Sequence, residues 1–218
     1  MAMLRILPRF DRPRPATGHR TLARIYDVAE TGWQDGISKL GFVEAYERLM
    51  AQCPKSRVPQ PKVMDVGTGT GAFANAWIIT HGAPGTLTLT DISPAMLASA
   101  TSRLPKAQAF HAGLGTAMPD VPPQDVVLCA HVIEHLDDPI AALQWLYERL
   151  APGGRLVMAI SKPHWCTALF RWRWGNAAYP PQKAQEMLAR VGFHDVCAHP
   201  FAKGPPSRVS HGYIARRP

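Results

Sequence analysis

Between residues 62 and 160, short apolar runs take turns with helical stretches, and only a small set of folds accepts that order. The runs lie at 63–66, 86–90, 126–130 and 155–160. Each is four to six residues long, too short for a helix, which is the texture of a strand covered on both faces. Helical stretches at 72–80, 94–103 and 139–150 separate them. Alternating strand and helix is the signature of βαβ units, hence of a parallel sheet with helices on both sides. A further strand is expected at 107–111, and beyond Pro181 a helix to about Val191 precedes two last strands at 193–199 and 212–215. The expected fold class is α/β.

Ahead of the alternating region the chain reads differently. Leu22, Ile25, Tyr26 and Ala29 place a helical face over 19–31, and Leu40, Val43, Ala45, Tyr46, Leu49 and Met50 make a second amphipathic helix. The Pro, Lys, Ser and Arg run at 54–61 ends it. The expected organisation is a basic arm at 1–18, a helical cap at 19–61 and a main domain at 62–218 with an aromatic, basic insert at 161–181. With 218 residues and 46% hydrophobic content, such a chain buries roughly 70% of its unfolded surface without disulfides or structural metal. Cys53, Cys129, Cys166 and Cys197 follow no zinc or secreted-framework spacing, and residues 1–15 lack the apolar run of a signal peptide. A reducing cytoplasm is the expected compartment.

The net charge of +8 is uneven: +5 over residues 1–24, +7 over 162–218 and −4 over 25–161. Any attraction to phosphate or anionic lipid would belong to the ends, as peripheral contact, the alternative being that the basic ends only keep the protein soluble, and the middle does something else.

The most informative window is Val63-Met64-Asp65-Val66-Gly67-Thr68-Gly69-Thr70-Gly71-Ala72. Glycines directly after a buried strand allow a tight turn and bring a ligand against bare backbone at the start of the next helix. Read as G-x-G-x-x-A, the loop also fits a dinucleotide. Asp65 separates the two cases, because a carboxylate there repels a pyrophosphate and favours a ligand carrying an ammonium or sulfonium. Asp91, ending the second run, is placed for ribose hydroxyls.

Four ordered segments, VMDVGTGTG at 63–71, TDISPAM at 90–96, DVVLCAHVIEHLDDP at 125–139 and RLAPGGRLVM at 149–158, together resemble the class I S-adenosylmethionine-dependent methyltransferases. The resemblance is to the broad small-molecule group that includes the quinone-biosynthesis methyltransferases, and it covers about residues 62–160. It implies a Rossmann-like, doubly wound sheet of seven mostly parallel strands, with an antiparallel last strand and an amino-terminal helical cap. It also implies a cofactor site. Asp65, Gly67, Thr68 and Gly69 would line the methionine half of S-adenosyl-L-methionine, Asp91 would hold the ribose, Ile92 and Met96 would flank the adenine, and Ala130 and Tyr26 would complete the site. Relatives often carry an acid that reaches the adenine amine. Leu114 stands at that place here, so adenine recognition would rest on backbone groups around Gly113 and Leu114, or on another side chain.

His131, Glu134 and His135 spell H-x-x-E-H, a zinc-protease signature on paper. That chemistry needs both histidines on one continuous helix, whereas this segment leaves a strand, so no metal is expected. Methyl transfer is a direct displacement whose main demand is alignment, and a base is needed only where the acceptor must lose a proton. Histidine suits that task, and His131, two residues beyond Cys129 at a central strand's end, is the candidate catalytic residue. The resemblance places the acceptor between residues 26–33 and the segment 161–181, where Lys162, His164, Trp165, Phe170, Arg171, Trp172, Arg173, Trp174 and Tyr179 interleave charge and rings. The expected activity is an S-adenosylmethionine-dependent methyltransferase acting on a small aromatic, lipidic or thiol acceptor and releasing S-adenosyl-L-homocysteine. The place after the fourth run reads Ala130-His131-Val132-Ile133, not the Pro-Pro-Tyr or Pro-Cys of nucleic-acid methyltransferases, so nucleic acid is disfavoured as substrate. Two rivals stay open: a cofactor-binding partner protein without turnover, and an NAD-dependent oxidoreductase.

Overall fold

The computed structural model describes Asp27 and residues 32–116, 120–164 and 177–218. Among these, helix α1 spans 32–39 and α2 spans Phe42–Gln52. Then β1 (Lys62–Val66), α3 (Ala72–His81), β2 (Thr86–Asp91), α4 (Pro94–Arg103), β3 (Gln108–His111) and β4 (Gln124–Ala130) follow. A short 3-10 turn at Ile133–His135 leads into α5 (Pro139–Arg149), β5 (Leu150–Ser161), α6 (Pro181–Val191), β6 (His194–Pro200), α7 (Gly204–Val209) and β7 (Ser210–Arg216).

The strands form one seven-stranded sheet in the order β3-β2-β1-β4-β5-β7-β6. The pairs from β3 through β5 are parallel, while β7 runs antiparallel to both β5 and β6. This is the doubly wound, mostly parallel sheet with an antiparallel last strand. Alternation along each strand divides the core in two. Val63, Leu89, Val126 and Leu128 meet Leu49, Phe73 and Trp77 of α2 and α3, whereas Met64, Val127, Cys129 and Met158 meet Leu143, Leu146 and Leu188 of α5 and α6. Strand order reverses between β1 and β4, and in open α/β sheets the crevice beyond the carboxyl ends at such a point is where ligands sit.

Several helix starts follow from local chemistry. Ser93 caps α4 by accepting from the Met96 N–H at 3.1 Å, with Pro94 in the first turn. Asp138 caps α5 by accepting from Ile140 and Ala141 at 3.0 and 2.9 Å, followed by Pro139. No helix among the described residues is long and apolar enough to cross a membrane.

Two details depart from the sequence reading. Strand β5 begins at Leu150 instead of 155, because Gly153, at φ +79°, turns the chain so that its N–H donates to Arg217 while Gly154 accepts from Arg217. Helix α7 was not anticipated, since Gly204, Pro205 and Pro206 signal a turn locally and the helix forms after Pro205 in its first turn. The helix expected at 19–31 lies, Asp27 apart, outside the described residues, as does most of the aromatic insert, residues 165–176.

Candidate active site

A cavity of about 610 Å³ opens at the carboxyl ends of β1, β2 and β4. Its walls hold Gly67, Thr68, Gly69, Asp91, Ile92, Met96, Gly113, Leu114, Ala130 and His131, so the structure brings together all but two of the expected site residues. Tyr26 lies outside the described residues. Asp65 is the other, and it stands behind the wall.

Asp65 is fully buried on the face of β1 shared with Val63, where its Oδ2 accepts from the Thr68 hydroxyl at 2.8 Å and from the Ala74 N–H at 3.2 Å. Its other oxygen, Oδ1, has no partner among the described residues. Burial pushes the carboxyl up to about 7, against the pull of the Thr68 and Ala74 hydrogen bonds. Its charge therefore reaches the cavity through Thr68 rather than by contact. The glycine loop itself is built on three left-handed glycines, Gly67, Gly69 and Gly71. Gly67, at φ +67°, faces the Val132 side chain so closely that a Cβ has no room, while Gly69, at φ +54°, has open space where a Cβ would stand. Gly71 is absent from the wall and packs on Ala100 and Leu104 of α4.

Asp91 is held rigidly at the end of β2. Its Oδ2 accepts from Gly69 N–H and its Oδ1 from Ser93 N–H, both at 2.8 Å. Burial raises its carboxyl above the usual range, although those backbone bonds oppose the shift. Each oxygen keeps a lone pair for a hydroxyl donor, and Ile92 and Met96 offer apolar surface beside it. Gly113 offers less than the sequence reading expected of it. Its N–H donates to Thr116 Oγ at 3.0 Å and its carbonyl accepts from the same hydroxyl at 2.7 Å, so it is wall and not a donor to a base edge.

Beyond the end of β4, next to the glycine loop, the cavity wall is organised by His131. Its backbone is left-handed, φ +57°, rare for a residue with a Cβ and costing about 1 kcal/mol or more. The Nδ1 atom lies 3.1 Å from Glu134 Oε1 and 3.3 Å from Ser161 Oγ. Glu134 is 3% exposed, and burial alone would raise its carboxyl, yet the His131 hydrogen bond and the charges of His131 and His135 bring it down to about 2. An ionised carboxylate only accepts, so Nδ1 carries a proton, and in the neutral form of the ring Nε2 carries the lone pair. Nε2 is buried without a partner among the described residues, and the ring is packed by Phe42 at 5.7 Å and Tyr46 at 6.4 Å between centroids.

Sequence reasoning missed Glu134 as the partner of His131, because its i+3 spacing read as part of a metal signature. The pair instead bridges the start of the 3-10 turn, and Glu134 Oε1 also accepts from Ser161 N–H at 2.8 Å. Asp138 starts α5, and His135 lies on the cavity wall. The cap contacts were also missed. Thr70 donates to Gln34 of α1, and Ser93 donates to Asp27 at 2.5 Å. Of the expected acceptor segments, Trp33 and Ser161 reach the wall, whereas Tyr179 packs in the α5 and α6 core and Lys162 meets His211 at 3.1 Å.

Comparison with known proteins agrees with this architecture. Residues 64–156 match a family model described as a methyltransferase domain. A SAM-dependent methyltransferase of Thermotoga maritima superposes with a TM-score of 0.71 at 14% identity, over 90% of this chain and all of that one. The N-methyltransferase NodS of Bradyrhizobium japonicum, solved with S-adenosyl-L-homocysteine, gives 0.63 at 18% identity over 81% of this chain and 85% of its own. A chain from the complex between the Haloferax volcanii Trm112 methyltransferase activator and a methyltransferase gives 0.72 at 17% identity, over 88% of this chain and 97% of that one. A search of curated proteins finds no match to the sequence.

Proposed function

We propose that the chain, whose residues 64–156 match a methyltransferase domain, transfers a methyl group from S-adenosyl-L-methionine to a small-molecule acceptor, with His131 taking the acceptor's proton. The observation that carries this reading is one cavity lined by two chemically distinct groups, the glycine loop with Asp91 and the His131–Glu134 pair. The cofactor fits the first group. Asp91 presents fixed acceptor oxygens for a diol, Gly69 leaves backbone bare, Ile92 and Met96 supply apolar surface for a ring, and the unpartnered Oδ1 of Asp65 favours a positive charge nearby.

When bound, S-adenosylmethionine supplies an electrophilic methyl on a sulfonium, which leaves by direct displacement to give S-adenosylhomocysteine. The chain's own residues then have three tasks. Trp33, Phe42 and Tyr46 wall the cavity with apolar surface that excludes water. His131 Nε2 accepts a proton as the acceptor atom attacks, and Glu134 acts as a positioning residue that holds the imidazole in the needed tautomer and stabilises the imidazolium. Thr68 transmits the charge of Asp65 to the cofactor end.

Thermal unfolding with S-adenosylhomocysteine, and separately with NAD at matched concentration, tests the reading. Ligand at a hundred times its dissociation constant adds about 2.7 kcal/mol. A shift with S-adenosylhomocysteine alone is expected; a shift with NAD alone overturns the proposal.

A further inference from the structure

The acceptor end of the cavity holds more polar atoms than the protein satisfies. Glu134 Oε2, His131 Nε2 and Ser210 Oγ are all buried, all belong to residues on the wall, and all lack a hydrogen-bond partner among the described residues. Ser210 is paired in register with Ser161, whose hydroxyl is 3.3 Å from His131 Nδ1, so the three residues share one end of the cavity. Two of the three unpartnered atoms are lone-pair acceptors, and a ligand that completes them must bring donors.

The charge balance at this end is one-sided. Glu134 is ionised at neutral pH, and among the described wall residues there is no Lys or Arg. Phe42 and Tyr46 turn rings toward the same place. An acceptor that approached as an anion, or became a phenolate or thiolate here, would place negative charge beside a buried carboxylate. A cationic acceptor does the reverse, compensating the carboxylate and lying among ring faces that attract cations.

Resting on the methyltransferase reading, we infer that the methyl acceptor is an amine carried on an apolar group, its nitrogen held by the unpartnered oxygen of Glu134 and the Nε2 of His131. The ammonium enters and gives one proton to Nε2, forming an imidazolium paired with Glu134 Oε1. The freed nitrogen lone pair forms the N–CH3 bond as the S–CH3 bond breaks, and that bond's electrons stay on sulfur as a neutral thioether. The sulfonium's positive charge moves with the methyl group onto nitrogen, so Glu134 ends beside an imidazolium and a methylammonium, which leaves as product while the imidazolium returns its proton to solvent.

The test is calorimetric titration of the full chain, loaded with S-adenosylhomocysteine, with phenethylamine, hexylamine and tryptamine. Each is compared with the alcohol and the carboxylate of the same skeleton. At least one amine is expected to bind tenfold or more tightly than both counterparts and to gain one methyl group when S-adenosylmethionine replaces the product. Glu134→Gln should remove the preference while S-adenosylhomocysteine affinity stays within twofold, which shows that the variant is folded. Absence of binding by all three amines, equal or better binding of the alcohols or carboxylates, or a preference that survives Glu134→Gln overturns the inference and leaves the methyltransferase reading standing. Failure of S-adenosylhomocysteine itself to bind overturns that reading, and the inference with it.

Discussion

The Thr70 hydroxyl donates to Gln34 Oε1 over 2.7 Å, joining α1 to the glycine loop across 36 residues of chain. Thr70 is 2% exposed, so the bond is made where water competes poorly. Loss of its acceptor leaves a buried donor unsatisfied, at a cost of about 1–3 kcal/mol. Gln34→Ala is therefore expected to speed release of S-adenosylhomocysteine about fivefold or more while the sheet's thermal midpoint changes little. Stopped-flow release is the measurement, and an unchanged rate would show that α1 takes no part in retaining the ligand.

Gly67 and Gly69 share a left-handed backbone but not an environment, and alanine separates them. At Gly67 a methyl group collides with Val132, so Gly67→Ala should lose about 1–3 kcal/mol of stability by overpacking, beyond its backbone strain. At Gly69 the methyl group enters open space, and only strain of about 1 kcal/mol is expected. Gly69→Ala should fold yet bind S-adenosylhomocysteine poorly. Chemical denaturation and calorimetry on the two variants distinguish these outcomes, and equal stability loss at both positions would contradict the assignment.

Asp65 links the cofactor end to pH. Its folded carboxyl sits at about 7, above the 3.8 of an unperturbed aspartate, because it is buried. The folded protein thus keeps a proton that the unfolded chain has lost. This contribution to stability is complete below about pH 4 and falls away as pH rises to about 7. Asp65→Asn should flatten that part of the stability curve. A positive ligand reverses the balance, so S-adenosylmethionine binding at pH 7 should release up to about half a proton, read from calorimetry in buffers of different ionisation enthalpy. No proton release would detach Asp65 from the sulfonium.

What the sequence made legible was whatever is encoded within about fifteen residues. The runs at 63–66 and 126–130 announce buried strands, and Ser93-Pro94 and Asp138-Pro139 announce helix starts. The glycine loop with Asp91 announces a ligand at the switch point. The acceptor end was not legible, because it is assembled from distant segments. Phe42 and Tyr46 reach His131 from a helix some ninety residues earlier, and Ser161 and Ser210 meet only through antiparallel pairing of β5 with β7. The orientation of Asp65 was partly legible. It shares a strand face with Val63, and alternation alone turns it toward α3, where Ala74 N–H meets it.

His131 combines a strained backbone with a held side chain, and the two can be tested apart. Asparagine tolerates the left-handed region better than most residues but cannot accept a proton as imidazole does. His131→Asn should therefore match the wild-type fold and bind S-adenosylhomocysteine within tenfold, about 1.4 kcal/mol. Its turnover should fall by about a hundredfold or more, the range for removing a general base. His131→Ala adds the backbone strain and empties space beside Phe42 and Tyr46, so its stability should be lower than that of the asparagine variant. Side-by-side turnover and denaturation of the two variants give the answer. Full turnover by His131→Asn would mean that the proton leaves by another route, and that the strain at this position serves packing alone.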